Sequence, residues 1–176
     1  MRTRETTRRL GRAAAVVATP AFLPGCATLG ALGAIIRPLE FEAARDRPAE
    51  LRLGGGRLGL PEGATLRLWA RVHNPNSFGL TLSTIAGSVY LEDTRAASVD
   101  FPLGLPLQPG LEEVIPLDVS LRLSDLPGLG GVLGRAVSGN PLAYRLEGRF
   151  TVDAGPLGTP SFGPATLLHG EVRPFR

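Results

Sequence analysis

The sequence predicts an all-β domain: a sandwich of about seven antiparallel strands with one short helix. Three observations carry that expectation. Apolar and polar residues alternate with a period of two along several segments, Gly and Pro clusters separate those segments at short intervals, and a single stretch departs to a helical spacing. Apolar residues make up 43% of the 176-residue chain, which excludes a wholly disordered polypeptide. The 23 glycines and 16 prolines are too few for low-complexity sequence, which takes roughly 25–30%, and they point to many turns.

Leu39-Glu40-Phe41-Glu42 alternates and can begin the first strand. Leu51 and Leu53 then alternate with Glu50 and Arg52. The clearest strand covers residues 65–74. Leu66, Leu68, Ala70 and Val72 share one face, and Thr65, Arg67, Trp69, Arg71 and His73 share the other. Val89 and Leu91 alternate with Ser88, Tyr90 and Glu92. The same holds for Leu117, Val119, Leu121 and Leu123 against Asp118, Ser120 and Arg122, and for Tyr144, Leu146, Phe150 and Val152 against Arg145, Glu147, Arg149 and Asp153. One apolar and one polar face suit antiparallel sheets with one wet side. Turns are expected at Pro61-Glu62-Gly63, Asn74-Pro75-Asn76, Pro109-Gly110, Gly155-Pro156 and Gly163-Pro164.

Between residues 124 and 139, Leu126, Leu129, Leu133 and Val137 recur near a helical spacing, with Ser124 or Asp125 as a cap and Gly139 as a stop. Gly128, Gly130, Gly131 and Gly134 weaken that helix by about 1 kcal/mol each against Ala. About seven strands with one helical crossover indicate a sandwich of immunoglobulin or fibronectin type III-like kind.

The formal charge is +3 and every cation is arginine. A net positive chain suggests a polyanion binder, but Arg2, Arg4, Arg8, Arg9 and Arg12 are opposed only by Glu5 in the first 25 residues. Without that segment the charge is −1, which argues against nucleic-acid binding. The basic segment precedes an apolar run over residues 13–23, about 11 residues long. That is too short to cross roughly 30 Å of hydrocarbon and suits the core of an export signal. Leu23-Pro24-Gly25 then precedes Cys26, the sole cysteine. This arrangement resembles the bacterial lipobox, with a branched apolar residue three positions ahead of the Cys and a small one directly ahead. The resemblance implies diacylglyceryl modification of the Cys26 thiol and cleavage before Cys26. The expected organisation is a lipoprotein signal over 1–25, a lipidated tether over 26–37 and the folded domain over 38–176. Arg8-Arg9 raises a twin-arginine route, although Gly11 and Arg12 fit it poorly and favour general secretion. Two or three acyl chains would hold the protein on a membrane, where one alone is marginal.

The segment Leu66-Arg67-Leu68-Trp69-Ala70-Arg71-Val72-His73-Asn74-Pro75-Asn76 resembles a strand end of the group 2 late embryogenesis abundant proteins, also called the water stress and hypersensitive response (WHy) domain. Leu80-Thr81-Leu82, Gly87-Ser88-Val89-Tyr90-Leu91, Ile115-Pro116-Leu117-Asp118-Val119 and Tyr144-Arg145-Leu146-Glu147-Gly148 agree with the family's later strands in order. The resemblance covers roughly residues 38–172. It implies a fibronectin-like sandwich with one helix, a link to desiccation stress, and, for bacterial members, export as lipoproteins. The motif also has its own physical reading. Pro75 keeps Asn74 extended and lacks an N–H to continue a ladder, and Asn76 and Ser77 bond nearby backbone in a turn.

Other motifs carry little chemistry. Gly54, Gly56 and Gly59 form a literal G-x-G-x-x-G, but Pro61 and Gly63 follow where a phosphate-binding helix must start. His73 and His169 are too few and too far apart for a metal cluster. Glu92-Asp93 and Glu112-Glu113 are adjacent pairs and read as solvated turn charges rather than a catalytic dyad. No nucleophile elbow is present. No catalytic residue, metal or cofactor is expected. Trp69 on the outer face, between Arg67 and Arg71, is expected to stack on their guanidinium groups or under a loop, or else to form a partner face. The functional expectation is a non-enzymatic, lipid-anchored envelope protein that protects membrane or protein under water stress, on the periplasmic side of the outer membrane where there are two membranes. Its partners are the membrane, through lipid on Cys26, and weak protein or membrane-surface contacts. The other reading is an adaptor that presents the Trp69 face or an edge strand to one protein partner.

Overall fold

A computed structural model describes residues 36–54, 63–122 and 130–175. The elements in chain order are β1 (Glu40–Ala43), β2 (Ala49–Leu53), β3 (Gly63–His73), β4 (Leu80–Leu91), β5 (Thr94–Leu107), β6 (Glu112–Arg122), α1 (Gly130–Val137), β7 (Leu142–Asp153) and β8 (Ser161–Phe175). Among the described residues the chain is all-β apart from α1 and a 3-10 turn, Gly155–Leu157.

The eight strands are hydrogen-bonded into one sheet of order β1-β3-β2-β8-β7-β4-β5, with β6 on the other side of β3. β1 and β2 share one flank of β3, pairing with its second and first halves respectively. Every pairing is antiparallel except β2 with β8. In a flat sheet β5 and β6 would lie six strand spacings apart, about 29 Å. Yet only residues 108–111 connect Leu107 to Glu112, a reach of about 17 Å at most. The sheet must therefore curl over on itself. The curl encloses one contiguous core that draws on both halves, including Leu66 and Leu68 of β3, Leu117 of β6, Leu82 and Ile85 of β4, and Leu146 and Val152 of β7. Phe41 of β1 meets Phe150 of β7 at 4.9 Å between ring centroids.

The alternation in β3 works as its residue types dictate. Leu66, Leu68, Ala70 and Val72 are all fully buried, and Arg67, Trp69, Arg71 and His73 face outward. Burying each leucine contributes about 1.5–3 kcal/mol. β6 repeats the pattern with Ile115, Leu117, Val119 and Leu121 inward.

Three features depart from the sequence expectation. β4 is one strand where the alternation at Val89 and Leu91 marked only its end. β5 is a full strand with Val99, Phe101, Leu103 and Leu105 half-buried and Asp100, Pro102, Gly104 and Pro106 exposed. Gly163-Pro164 does not end a strand but lies inside β8, beside a register shift against β7. A Cβ at Gly163 would stand 2.7 Å from the Gly148 carbonyl oxygen, so this approach of the two backbones needs glycine. The one short helix falls within the stretch the spacing marks, at Gly130–Val137, with Val132 and Ala136 facing the core; Leu126 and Leu129 lie outside the described residues.

At the far end of β4, Glu92 and Asp93 form the hairpin to β5 with φ of 47° and 62°. Positive φ at both central residues is the type I′ pattern that matches strand twist, at a cost of about 1 kcal/mol or more per non-glycine residue. The Glu92 carboxylate offsets it by accepting the Ala143 N–H at 2.8 Å.

Candidate functional site

Asn74 and Asn76 are the buried polar residues among those described, 0% and 5% exposed. A buried amide is tolerated only when its hydrogen-bonding capacity is met. The Asn74 amide nitrogen donates to the carbonyls of Phe78 (3.0 Å), Leu107 (3.2 Å) and Gln108 (3.3 Å). Its oxygen accepts from the Asn76 backbone N–H at 3.1 Å and from the Asn76 amide at 3.0 Å. Asn76 in turn donates to the Arg37 carbonyl (2.9 Å) and accepts the Arg37 N–H (2.8 Å). The Asn74 backbone bonds Leu111 and Gly110, N–H to O at 3.1 Å and O to N–H at 2.9 Å.

Three segments are thereby fixed to one another: the chain as it enters at Ile36 and Arg37, the turn after β3, and the β5–β6 connection. Pro75 breaks the ladder where this fan of bonds begins, because it has no N–H. The motif is thus a local turn and also the clasp between the two ends of the curled sheet. Apart from Phe78, the partners of these side chains outside the motif are 33 to 39 residues away in sequence, so no local signal announces them.

The outer face of β3 forms a second cluster. Trp69 is half-buried, with the Arg47 guanidinium 4.8 Å and that of Arg67 5.9 Å from its ring centroid. Arg71, expected on Trp69, is instead drawn to Asp46 (3.1 Å) and Glu112 (3.2 Å). Arg67 makes a two-point bond to Asp118 of β6, directly opposite it in register, at 2.6 and 3.0 Å. That hydrogen bond holds the Asp118 carboxyl below its ordinary range and raises the Arg67 guanidinium. The face is therefore a ladder of compensated charges around one aromatic ring. Arg47 comes from a loop and left no periodic signal, whereas Asp118 follows from cross-strand pairing once β3 and β6 are placed together.

A shallow groove of about 300 Å³ on the other half of the sheet is lined by Tyr90, Asp93, Tyr144, Arg145, His169 and Glu171. Arg145 stacks on Tyr90 at 4.9 Å, bonds Asp93 at 3.0 Å and lies 2.8 Å from Glu147. Its charge is already matched. Burial raises the Tyr144 hydroxyl above its ordinary range, which keeps it protonated.

His73 sits 3.0 Å from Glu40, and His169 lies in the groove on β8, in register with Arg145. Among the described residues no three His, Cys, Asp or Glu side chains are placed to hold a metal ion, and no helix is long and apolar enough to cross a membrane. Leu23, Pro24, Gly25 and Cys26 lie outside the described residues, as do Gly56 and Gly59; the Gly54 N–H bonds the Gly63 carbonyl at 2.8 Å, joining β2 to β3.

A family model described as late embryogenesis abundant protein matches residues 70–164, more than half of the chain. That span begins at the strand carrying the Asn74-Pro75-Asn76 clasp. No curated protein sequence matches the chain. A solution structure of an Arabidopsis thaliana protein is similar at a TM-score of 0.52 and 12% identity, over 80% of this chain and 81% of that one. A protein described as a late embryogenesis abundant protein aligns at 0.47 and 20% identity, over 80% and 73%. A crystal structure of an Archaeoglobus fulgidus protein aligns at 0.42 and 13% identity, over 71% and 92%. The Arabidopsis thaliana likeness is one of fold.

Proposed function

We propose, from the premise that the chain belongs to the late embryogenesis abundant family, that it is a lipid-anchored, non-catalytic protein of the bacterial envelope, of the group 2 or WHy form. The curled sheet is read as a fibronectin type III-like sandwich, with β6, β3, β1 and β2 in one layer and β8, β7, β4 and β5 in the other. Cys26 carries the lipid, after cleavage behind Leu23-Pro24-Gly25, on the periplasmic side of the outer membrane where there are two membranes. The domain protects membrane or protein during water loss.

The observation that carries this reading is the sole cysteine at the lipobox position, eleven residues before Arg37, which Asn76 pins to a folded domain. An outer β3 face whose arginines are already paired with Asp118, Asp46 and Glu112 suits weak, non-specific contact better than capture of one ligand. The adaptor reading has two weaknesses. Pro102 and Pro106 of β5 and Pro116 of β6 lack the N–H that strand addition uses at the sheet edges. The Trp69 face has its arginines already engaged with Asp118, Asp46 and Glu112.

The test is survival of a deletion strain after drying and rewetting. Loss of survival restored by the natural chain and by Trp69→Ala, but not by Cys26→Ala, is the expected result. Survival equal to the parent strain overturns the stress role. Failure of Trp69→Ala to restore it, together with loss of one saturable protein partner, selects the adaptor.

A further inference from the structure

We infer that the pole at which the chain enters the domain is the surface that rests on the bilayer, and that Leu111 makes its contact with a zwitterionic headgroup layer. The inference rests on the acylation of Cys26 proposed above and adds which surface faces the lipid.

Three connections leave the sheet at this pole: residues 75–79, 108–111 and 154–160. Thr81 stands opposite both Pro106 of β5 and Asp153 of β7, and His73 stands opposite Glu112 and Glu40. The start of β1 is therefore at the same end. None of the sixteen residues in those connections is charged, although 20% of the chain is. The opposite pole carries Glu92, Asp93 and Arg135 on its turn and helix.

Leu111 is the large apolar side chain left exposed among the described residues, at 55%. Phe78 and Leu157 are half-buried in the neighbouring connections, and Pro109 and Pro156 are exposed. Leu111 is held outward by a rigid backbone, because its carbonyl accepts the Asn74 N–H.

The length of chain before the domain decides which end faces the lipid. Ile36 and Leu39 are seated in the core, and Asn76 grips Arg37. From Cys26 to Ile36 a fully extended chain spans about 35 Å at most. The eleven-residue β3 alone is about 36 Å long. A tether that starts at this pole holds it nearest the anchor, whereas the far pole stands a further strand length away and meets the bilayer only with the tether almost fully extended. One leucine binds a membrane weakly by itself, so the contact matters only when the anchor holds it at high local concentration. Glu40, Glu112, Glu113 and Asp153 stand just behind the uncharged loops, against Arg37 and His73. Anionic lipid should therefore add nothing.

The test uses the acylated full chain with Leu111→Cys, labelled with an environment-sensitive fluorophore, in phosphatidylcholine vesicles containing nitroxide-bearing lipid. Acylation consumes the Cys26 thiol, so the label is unique, and both positions compared are on exposed turns that do not build the core. The label at 111 is expected to be quenched about twofold or more, and the same label on Asp93→Cys to be nearly unquenched. Equal quenching at both positions, or stronger quenching at 93, overturns the orientation. Rising quenching at 111 as phosphatidylglycerol is added overturns the zwitterionic surface. Intact mass of the same preparation separates the two failures. An acylated chain with position 111 unquenched refutes the orientation alone, whereas a chain without acyl mass refutes the anchor and the orientation together.

Discussion

The two poles of the sheet do comparable work with different chemistry. Where the chain enters, Asn74 and Asn76 are buried and join three distant segments through side-chain bonds to backbone, and the turn after β3 and the β5–β6 connection carry no charge. At the far pole, the hairpin at Glu92 and Asp93 is held by exposed groups: Arg135 to Glu92 at 3.4 Å, Arg145 to Asp93 at 3.0 Å, and the Ala143 N–H to Glu92 at 2.8 Å. A buried amide left half-satisfied incurs its full desolvation penalty, whereas an exposed carboxylate falls back on water. The difference teaches that the clasp fixes the topology and the far hairpin only trims it.

The sharpest way to break the contrast is Asn74→Ala, which strands the carbonyls of Leu107 and Gln108 and the Asn76 amide. It should cost about 3 kcal/mol, a fall in Tm on the order of 10 °C, measured by thermal melting. A loss no greater than that of Glu92→Ala would remove the distinction between the poles. Asn76→Ala is expected to cost about 2 kcal/mol and to do something the other does not. It frees Arg37, so the Arg37 amide should lose hydrogen-exchange protection while the amides of β4 and β7 keep theirs. Glu92→Ala, at the far pole, is expected to cost about 1 kcal/mol, with no change in exchange at Arg37.

The smallest effect concerns the outer face between the poles. The Asp118 carboxyl is held below its ordinary range by Arg67, so its contribution is present above the unfolded value, about 3.9, and fades as pH falls through the lower folded value. Asp118→Asn should therefore flatten only the acid side of the stability profile, below about pH 4, and leave the neutral plateau nearly unchanged. Both groups are substantially exposed, which limits the size of the change.

How far each pole was readable in the sequence follows the same divide. Leu66, Leu68, Ala70 and Val72 declare the inner face of β3 by alternation alone, because burial on one side of a pleated strand enforces period two. β5 was hidden because Pro102, Gly104 and Pro106 read as breakers, yet an edge strand tolerates them on its exposed side. Gly163-Pro164 misled in the same way inside β8. Asn74-Pro75-Asn76 was legible as a turn, since Pro restricts its neighbour locally. Its role as a clasp was not, since Arg37, Leu107 and Gln108 approach only after the sheet has curled. Arg71 shares a strand face with Trp69, but Asp46 and Glu112 compete for its charge more strongly than the ring does.

Intact mass of the chain recovered from the cells that make it bears most directly on the proposed anchor of a domain whose chain enters through the clasp. A mature species beginning at Cys26 and carrying two or three acyl chains, with Cys26→Ala left unmodified, is the expected result. A full-length chain with a free Cys26 thiol would contradict it.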